Sequence, residues 1–228
     1  MNDLAQNLIE ELQCETVFTI PILGGIPVSE AVVATWIIMA VLVVVSFILT
    51  RNLKVDHISK RQAVAESIVT GLMKMVQGMV GEKGKAYVPY LTTVMLYIGV
   101  SNIIGLFGFK SPTKDLRVTV ALALMSIILI EAAGIYHKGV KRWLHGFVEP
   151  VAIVTPINIL EVVTKPLSLC MRLFGNVLGA FVIMELLKMI LPVGLPVVFS
   201  LYFDIFDGLL QAYVFVFLTS LYIDEITE

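Results

Sequence analysis

Charge is scarce in this chain: Asp, Glu, Lys and Arg make up 15% of its 228 residues and nearly cancel, leaving a formal net charge of −2. With no basic run interleaved with aromatics, a nucleic-acid-binding surface is excluded. Cysteine is nearly absent too. Cys14 falls in an N-terminal tail and Cys170 in an apolar run, so neither a disulfide framework nor a metal cluster is indicated, and the redox compartment stays open. His57, His137 and His145 fall in loops. There is no metal-ligand spacing, no phosphate-binding glycine motif, and no serine or cysteine with a recognisable base, so no enzyme centre, cofactor or resident metal is expected. The first 50 residues hold no Lys or Arg, which removes the positively charged start of a secretory signal.

What is abundant is apolar surface. Hydrophobic residues are 58% of the chain, more than one soluble core of this size needs, which predicts an all-α integral membrane protein. Five apolar runs are long enough to cross a bilayer, about 31–50, 86–109, 116–136, 157–190 and 197–223. The basic stretch Arg51–Arg61 and the second one, His137–His145, both read as cytoplasmic by the positive-inside rule. Residues 1–30 then face outside, residues 31–228 form one membrane domain, and the C-terminus is cytoplasmic.

Between about 59 and 80, Val64, Ile68, Leu72, Met75 and Met79 recur every three or four residues, with Glu66, Lys74 and Gln77 on other faces. This amphipathic helix lies on the cytoplasmic membrane surface or packs on other protein. Asp115, after the turn Ser111-Pro-Thr-Lys, is placed to favour a helix N-terminus. The fourth run is too long for a straight crossing, so it tilts strongly or bends at Pro166.

Arg172, halfway along that run, is the residue most in need of a reason, because an arginine in mid-membrane costs on the order of 3 kcal/mol on insertion scales. At about 100° per residue, Asn158, Glu161, Lys165, Ser168, Asn176 and Gly179 fall within roughly 40° of it. Glu161 and Lys165 are also spaced for an ion pair. Gly175, Gly179 and Ala180 allow another helix close approach, from within the chain or outside it. Glu185 points away from the Arg172 face and implies a second polar environment. On the last helix Asp204, Asp207, Gly208 and Gln211 align along one stripe, which faces the long helix or water. Glu131 lines a hydrated cavity or lies near the interface, and Asn102 lies near the outer end of its span. Carboxylates with one fixed positive charge suit a proton or ion relay.

Those residues carry a resemblance. Lys165-Pro-Leu-Ser-Leu-Cys-Met-Arg-Leu-Phe-Gly-Asn176, together with Gln211-Ala-Tyr-Val-Phe-Val-Phe-Leu-Thr219, resembles subunit a of the F-type ATP synthases, and Ser101–Leu106 and Pro112–Thr119 look like two further motifs of that family. The likeness covers roughly residues 30 to 225. It implies a non-catalytic, stationary subunit in the cell membrane, beside a rotating c-subunit ring and held by the b subunits of a peripheral stalk. Its last two helices would lie tilted against the ring. Two half-channels would deliver ions to the ring carboxylates and remove them, with Arg172 matching the essential arginine that prevents leak, and Asn176 and Gln211 the polar residues that flank it. Phe181 and Asp204 stand where many members have a glutamate and a histidine. Glu185, one turn beyond Phe181, is the expected substitute, in a relay with Asp204 and Asp207, while Glu161, Lys165, Ser168 and Asn102 are supporting polar residues. Proton is the expected ion and sodium the alternative. A secondary transporter whose Arg172 binds an anionic substrate is the competing function, with an intramembrane enzyme disfavoured by the missing nucleophile and ligands.

Overall fold

The computed structural model describes residues 16–20, 26–51, 53, 59–107, 111–148, 152–190 and 194–227. Cys14, His57, Pro150 and most of the first basic stretch lie outside the described residues, as do Leu191–Val193 in the turn after the long helix.

The chain begins, among the described residues, with two short antiparallel strands, β1 (Thr16–Ile20) and β2 (Ile26–Ser29). The all-helical reading missed this hairpin. Its signal is the β-branched and aromatic run Thr-Val-Phe-Thr-Ile, too short to stand out beside the membrane helices. Pro27 is tolerated because a two-stranded ladder consists only of edges.

Helices make up nearly all the rest. They are α1 (Glu30–Thr50), α2 (Lys60–Gln77), α3 (Val88–Ile103), α4 (Leu116–Lys138), the short α5 (Val140–Gly146), α6 (Thr155–Ile190), α7 (Leu195–Ser200) and α8 (Gly208–Thr227). Short 3-10 turns extend α3 at both ends, and a π-helical segment, Leu201–Asp207, joins α7 to α8. Five stretches are long and apolar enough to span a bilayer: Glu30–Thr50, Lys83–Leu106, Leu116–Lys138, Thr155–Lys188 and Val198–Thr227.

The packing is that of a membrane protein. α3 packs mainly on α8, and α4 on α6 and α8. Leu91, Ile98, Ile130, Leu173, Phe215 and Val216 are closed off between them. The outer surfaces of the same helices are apolar as well, and Val43 and Phe47 on α1 are each 68% exposed. A soluble protein could not show water that much hydrocarbon, whereas lipid removes the penalty.

Asp115 caps α4 as its position suggested: Oδ1 accepts from the Arg117 backbone N–H at 2.9 Å. Its other oxygen accepts from Ser29 Oγ at 2.8 Å, tying the start of α1 to the start of α4. On α2, Val64, Ile68 and Met75 stay uncovered by the rest of this chain, while Val76 is buried in the core. α6 runs unbroken through Pro166 for 36 residues. At 1.5 Å per residue it is about 54 Å long, well beyond a hydrocarbon core about 30 Å thick.

Candidate functional site

The π-helical segment sets up the site. Its i→i+5 turns are wider than those of an α-helix and recur at functional positions. Here they carry Asp204 and Asp207, and the chain returns to α geometry at Gly208. Both carboxylates line a cavity of about 510 Å3 between this segment, α6, the end of α3 and the turn Pro112–Lys114.

The sequence stripe therefore survives in space, but each carboxylate has its own donor. Ser200 Oγ donates to Asp204 Oδ2 at 2.5 Å, and Asn176 Nδ2 donates to Asp207 Oδ2 at 2.8 Å. The same amide reaches Gln211 Oε1 at 3.3 Å. Gln211 is 4% exposed, and its Nε2 has no acceptor. A buried amide donor without a partner costs about 1–3 kcal/mol, so this group is poised to bind water or a carboxylate that enters the cavity. Glu185 also lines the cavity, its Oε1 accepting from Lys188 Nζ at 2.6 Å.

Behind the carboxylates runs a buried network. Asn102 Nδ2 donates to the Gly208 carbonyl at 3.0 Å and its Oδ1 accepts from Thr113 Oγ1 at 2.8 Å. Thr113 Oγ1 lies 2.7 Å from Ser111 Oγ, which donates to the Ser101 carbonyl at 2.8 Å. Two glycines make room: a Cβ on Gly105 would lie 3.0 Å from Asp204 Oδ1, and one on Gly208 would lie 2.8 Å from Asn102 Cβ.

Arg172 is elsewhere. α6 turns Leu169, Cys170 and Leu173 into the core and leaves Ser168 and Arg172 exposed on its other side. Arg172 makes no hydrogen bond or ion pair with the other described residues. Cβ atoms added at Gly175 or Gly179 would meet nothing within 4 Å, so these small residues do not serve packing inside the chain.

The rest of the face around Arg172 disperses. Asn176 turns to Asp207 and Gln211, and Asn158 Nδ2 donates to the Phe147 carbonyl at 3.0 Å. Lys165 pairs with Glu161 at 3.5 Å as the spacing predicts, and more closely with Glu225 at 2.9 Å, a long-range partner no spacing discloses. Glu131 accepts from Trp143 Nε1 at 2.9 Å and so anchors α5 to α4.

Sequence reading missed Ser200 and Lys114. Ser200 stands one turn before Asp204, a spacing that could have marked it. Lys114 read only as a turn residue, yet it is 7% exposed, and its Nζ lies 3.2 Å from the centroid of the Phe181 ring.

Comparison with known proteins places the chain. The sequence profile described as ATP synthase A chain matches residues 32–224. Similar proteins include ATP synthase subunit a of Moorella thermoacetica, 35% identical over 203 residues, covering 88% of this chain and 92% of that one. ATP synthase subunit a 1 of Crocosphaera subtropica is 30% identical over 200 residues, covering 87% and 86%. A third, named ATP synthase subunit a, sodium ion specific, from Propionigenium modestum, is 35% identical over 215 residues, covering 87% and 74%.

Proposed function

The chain belongs to the ATP synthase A chain family, and from that premise we propose that it is the stationary, ion-conducting half of a rotary motor. As a member of the family it is a multi-pass, ion-translocating membrane subunit that works in complex with other ATP synthase subunits and has no catalytic centre of its own. The proposal adds the path and the coupling.

Arg172 is the observation that carries it. A permanent positive charge in mid-membrane, exposed and unanswered by the other described residues, needs an anion from outside the chain. A carboxylate on each subunit of a c-ring supplies it. Gly175 and Gly179, open on their Cβ sides, let the ring come close. As the ring turns, Arg172 attracts each deprotonated carboxylate and blocks direct ion passage between the two half-channels.

The polar cavity is the outer half-channel. Glu185, Asp204 and Asp207 form a relay along it, with Asn176 and Gln211 at its inner end nearest the sequence position of Arg172. At the other end of α6, Ser168, Glu161 and Lys165, with Glu225, edge the cytoplasmic path. This orientation puts the N-terminus outside the cell membrane and the C-terminus in the cytoplasm, with α2 on the cytoplasmic surface where the b subunits enter. The ion is the proton, with sodium the competing reading because one relative is named for it. A secondary transporter binding an anionic substrate would need Arg172 inside the substrate cavity, and the residue lies outside it.

The deciding experiment is ATP synthesis by the whole complex in liposomes, wild type against Arg172→Ala, under separate proton and sodium gradients. Synthesis should vanish in the variant, and the gradient that drives the wild type identifies the ion. Wild-type rates in the variant would make the arginine structural and sink the coupling mechanism.

A further inference from the structure

Lys114 has no part in the relay, yet it lines the same cavity as Glu185, Asp204 and Asp207. Burying a lysine is costly unless its surroundings answer the charge. Here the Phe181 ring lies under the ammonium at 3.2 Å, and the cavity carboxylates share its space.

The position is also firmly held. The Lys114 backbone N–H donates to the Ser111 carbonyl at 3.1 Å, and Thr113 is bonded to Asn102 of α3. Asp115 is bonded to Ser29 at the head of α1 and to the first turn of α4. Three helices thus fix one charge. Around the cavity, three carboxylates face two ammonium groups, Lys114 and Lys188. Lys188 is 54% exposed and paired with Glu185, so Lys114 is the buried cation among the described lining residues, while Asp115 turns away to Ser29 and Arg117 N.

We infer that Lys114 is the fixed charge that keeps sodium and other metal cations out of the outer cavity while protons pass along its carboxylates. The inference rests on reading the cavity as the outer half-channel. A proton hops between carboxylates and water by exchange of bonds and needs no standing coordination shell. A sodium ion must occupy the space, close to Lys114, and collect several oxygen ligands. Asp204, Asp207 and Glu185 are each engaged by Ser200, Asn176 and Lys188, and among the described residues no three acidic, His or Cys side chains converge as a metal site. A round cavity of about 510 Å3 is about 10 Å across. At that distance, with an effective dielectric constant of about 20, one unit charge changes a cation's affinity more than about tenfold. Burial limits screening by salt.

The test uses the whole ATP synthase in liposomes, driven by a pH jump in sodium-free buffer. Sodium chloride then replaces choline chloride on the cavity side at constant ionic strength. Wild type and Lys114→Arg should be indifferent to sodium. Lys114→Gln should be inhibited, at sodium concentrations more than about tenfold below any that affect wild type. Phe181→Glu reaches the same charge by another route, giving Lys114 a carboxylate partner, and stands in if Lys114→Gln does not assemble. Indifference to sodium in both variants overturns the inference, as does a wild type driven by a sodium gradient. A wild type that makes ATP under neither gradient would instead refute the half-channel reading beneath it.

Discussion

Gly208→Ala tests whether the contact between α3 and the last helix positions the site. The new methyl would lie 2.8 Å from Asn102 Cβ, against a normal carbon contact of about 3.5–4.0 Å, so the helices must part by about 1 Å. Overpacking of this kind costs about 1–3 kcal/mol. Separation also stretches the 3.0 Å bond from Asn102 Nδ2 to the Gly208 carbonyl, whose loss adds about 0.5–1.5 kcal/mol. Alanine recovers about 1 kcal/mol over glycine in a helix interior. The balance is a loss of about 2 kcal/mol, enough to lower the midpoint for thermal release of the subunit from the purified complex by about 4–8 °C. ATP synthesis should fall with it, because the same contact holds the carboxylates over the cavity. Asn102→Gly on the same background should restore the steric part and not the hydrogen bond. A midpoint unchanged or raised in the single variant, with normal synthesis, would mean that helix propensity governs and that the close approach is not required.

Two further outcomes follow from the geometry. Glu185→Gln with Asp204→Asn should reduce proton-driven synthesis by roughly a hundredfold, in line with removing positioned proton-transfer groups, and coupled synthesis at the wild-type rate in liposomes would rule out the relay. Lys165→Met should shift the thermal midpoint by less than the equivalent of about 1 kcal/mol, because both of its carboxylate partners are half exposed. A larger fall in that melt would show the pair with Glu225 to be a structural clamp.

The membrane helices were legible because bilayer thickness imposes a length and lipid forbids unpaired backbone, so apolar runs alone give five spans. Asp115 and the Glu161–Lys165 pair were legible because caps and i,i+4 contacts depend on neighbours in sequence. Glu185, Asp204 and Gln211 were marked by the cost of polarity in an apolar helix, and all three line the cavity. Helical projection did less well around Arg172. It placed Asn176 on the same face, and tertiary hydrogen bonds to Asp207 and Gln211 draw that side chain inward. The π-helical turn has no local signal in Leu-Tyr-Phe-Asp-Ile-Phe-Asp, since its wider winding depends on what the last helix packs against. Lys114 was hidden for a related reason: a lysine in a polar turn reads as exposed, and only the fold brings Phe181 beneath it.

That π-helical turn also makes the last helix unusually sensitive to single-residue deletions. Relaxing Leu201–Asp207 to α winding by removing one residue would turn everything upstream by about 100° relative to α8. Ser200 would swing away from Asp204 while Gln211 stayed where it is. Chain length here acts as a phase setting: a deletion that a surface loop would absorb instead rotates one wall of the cavity out of step with the other.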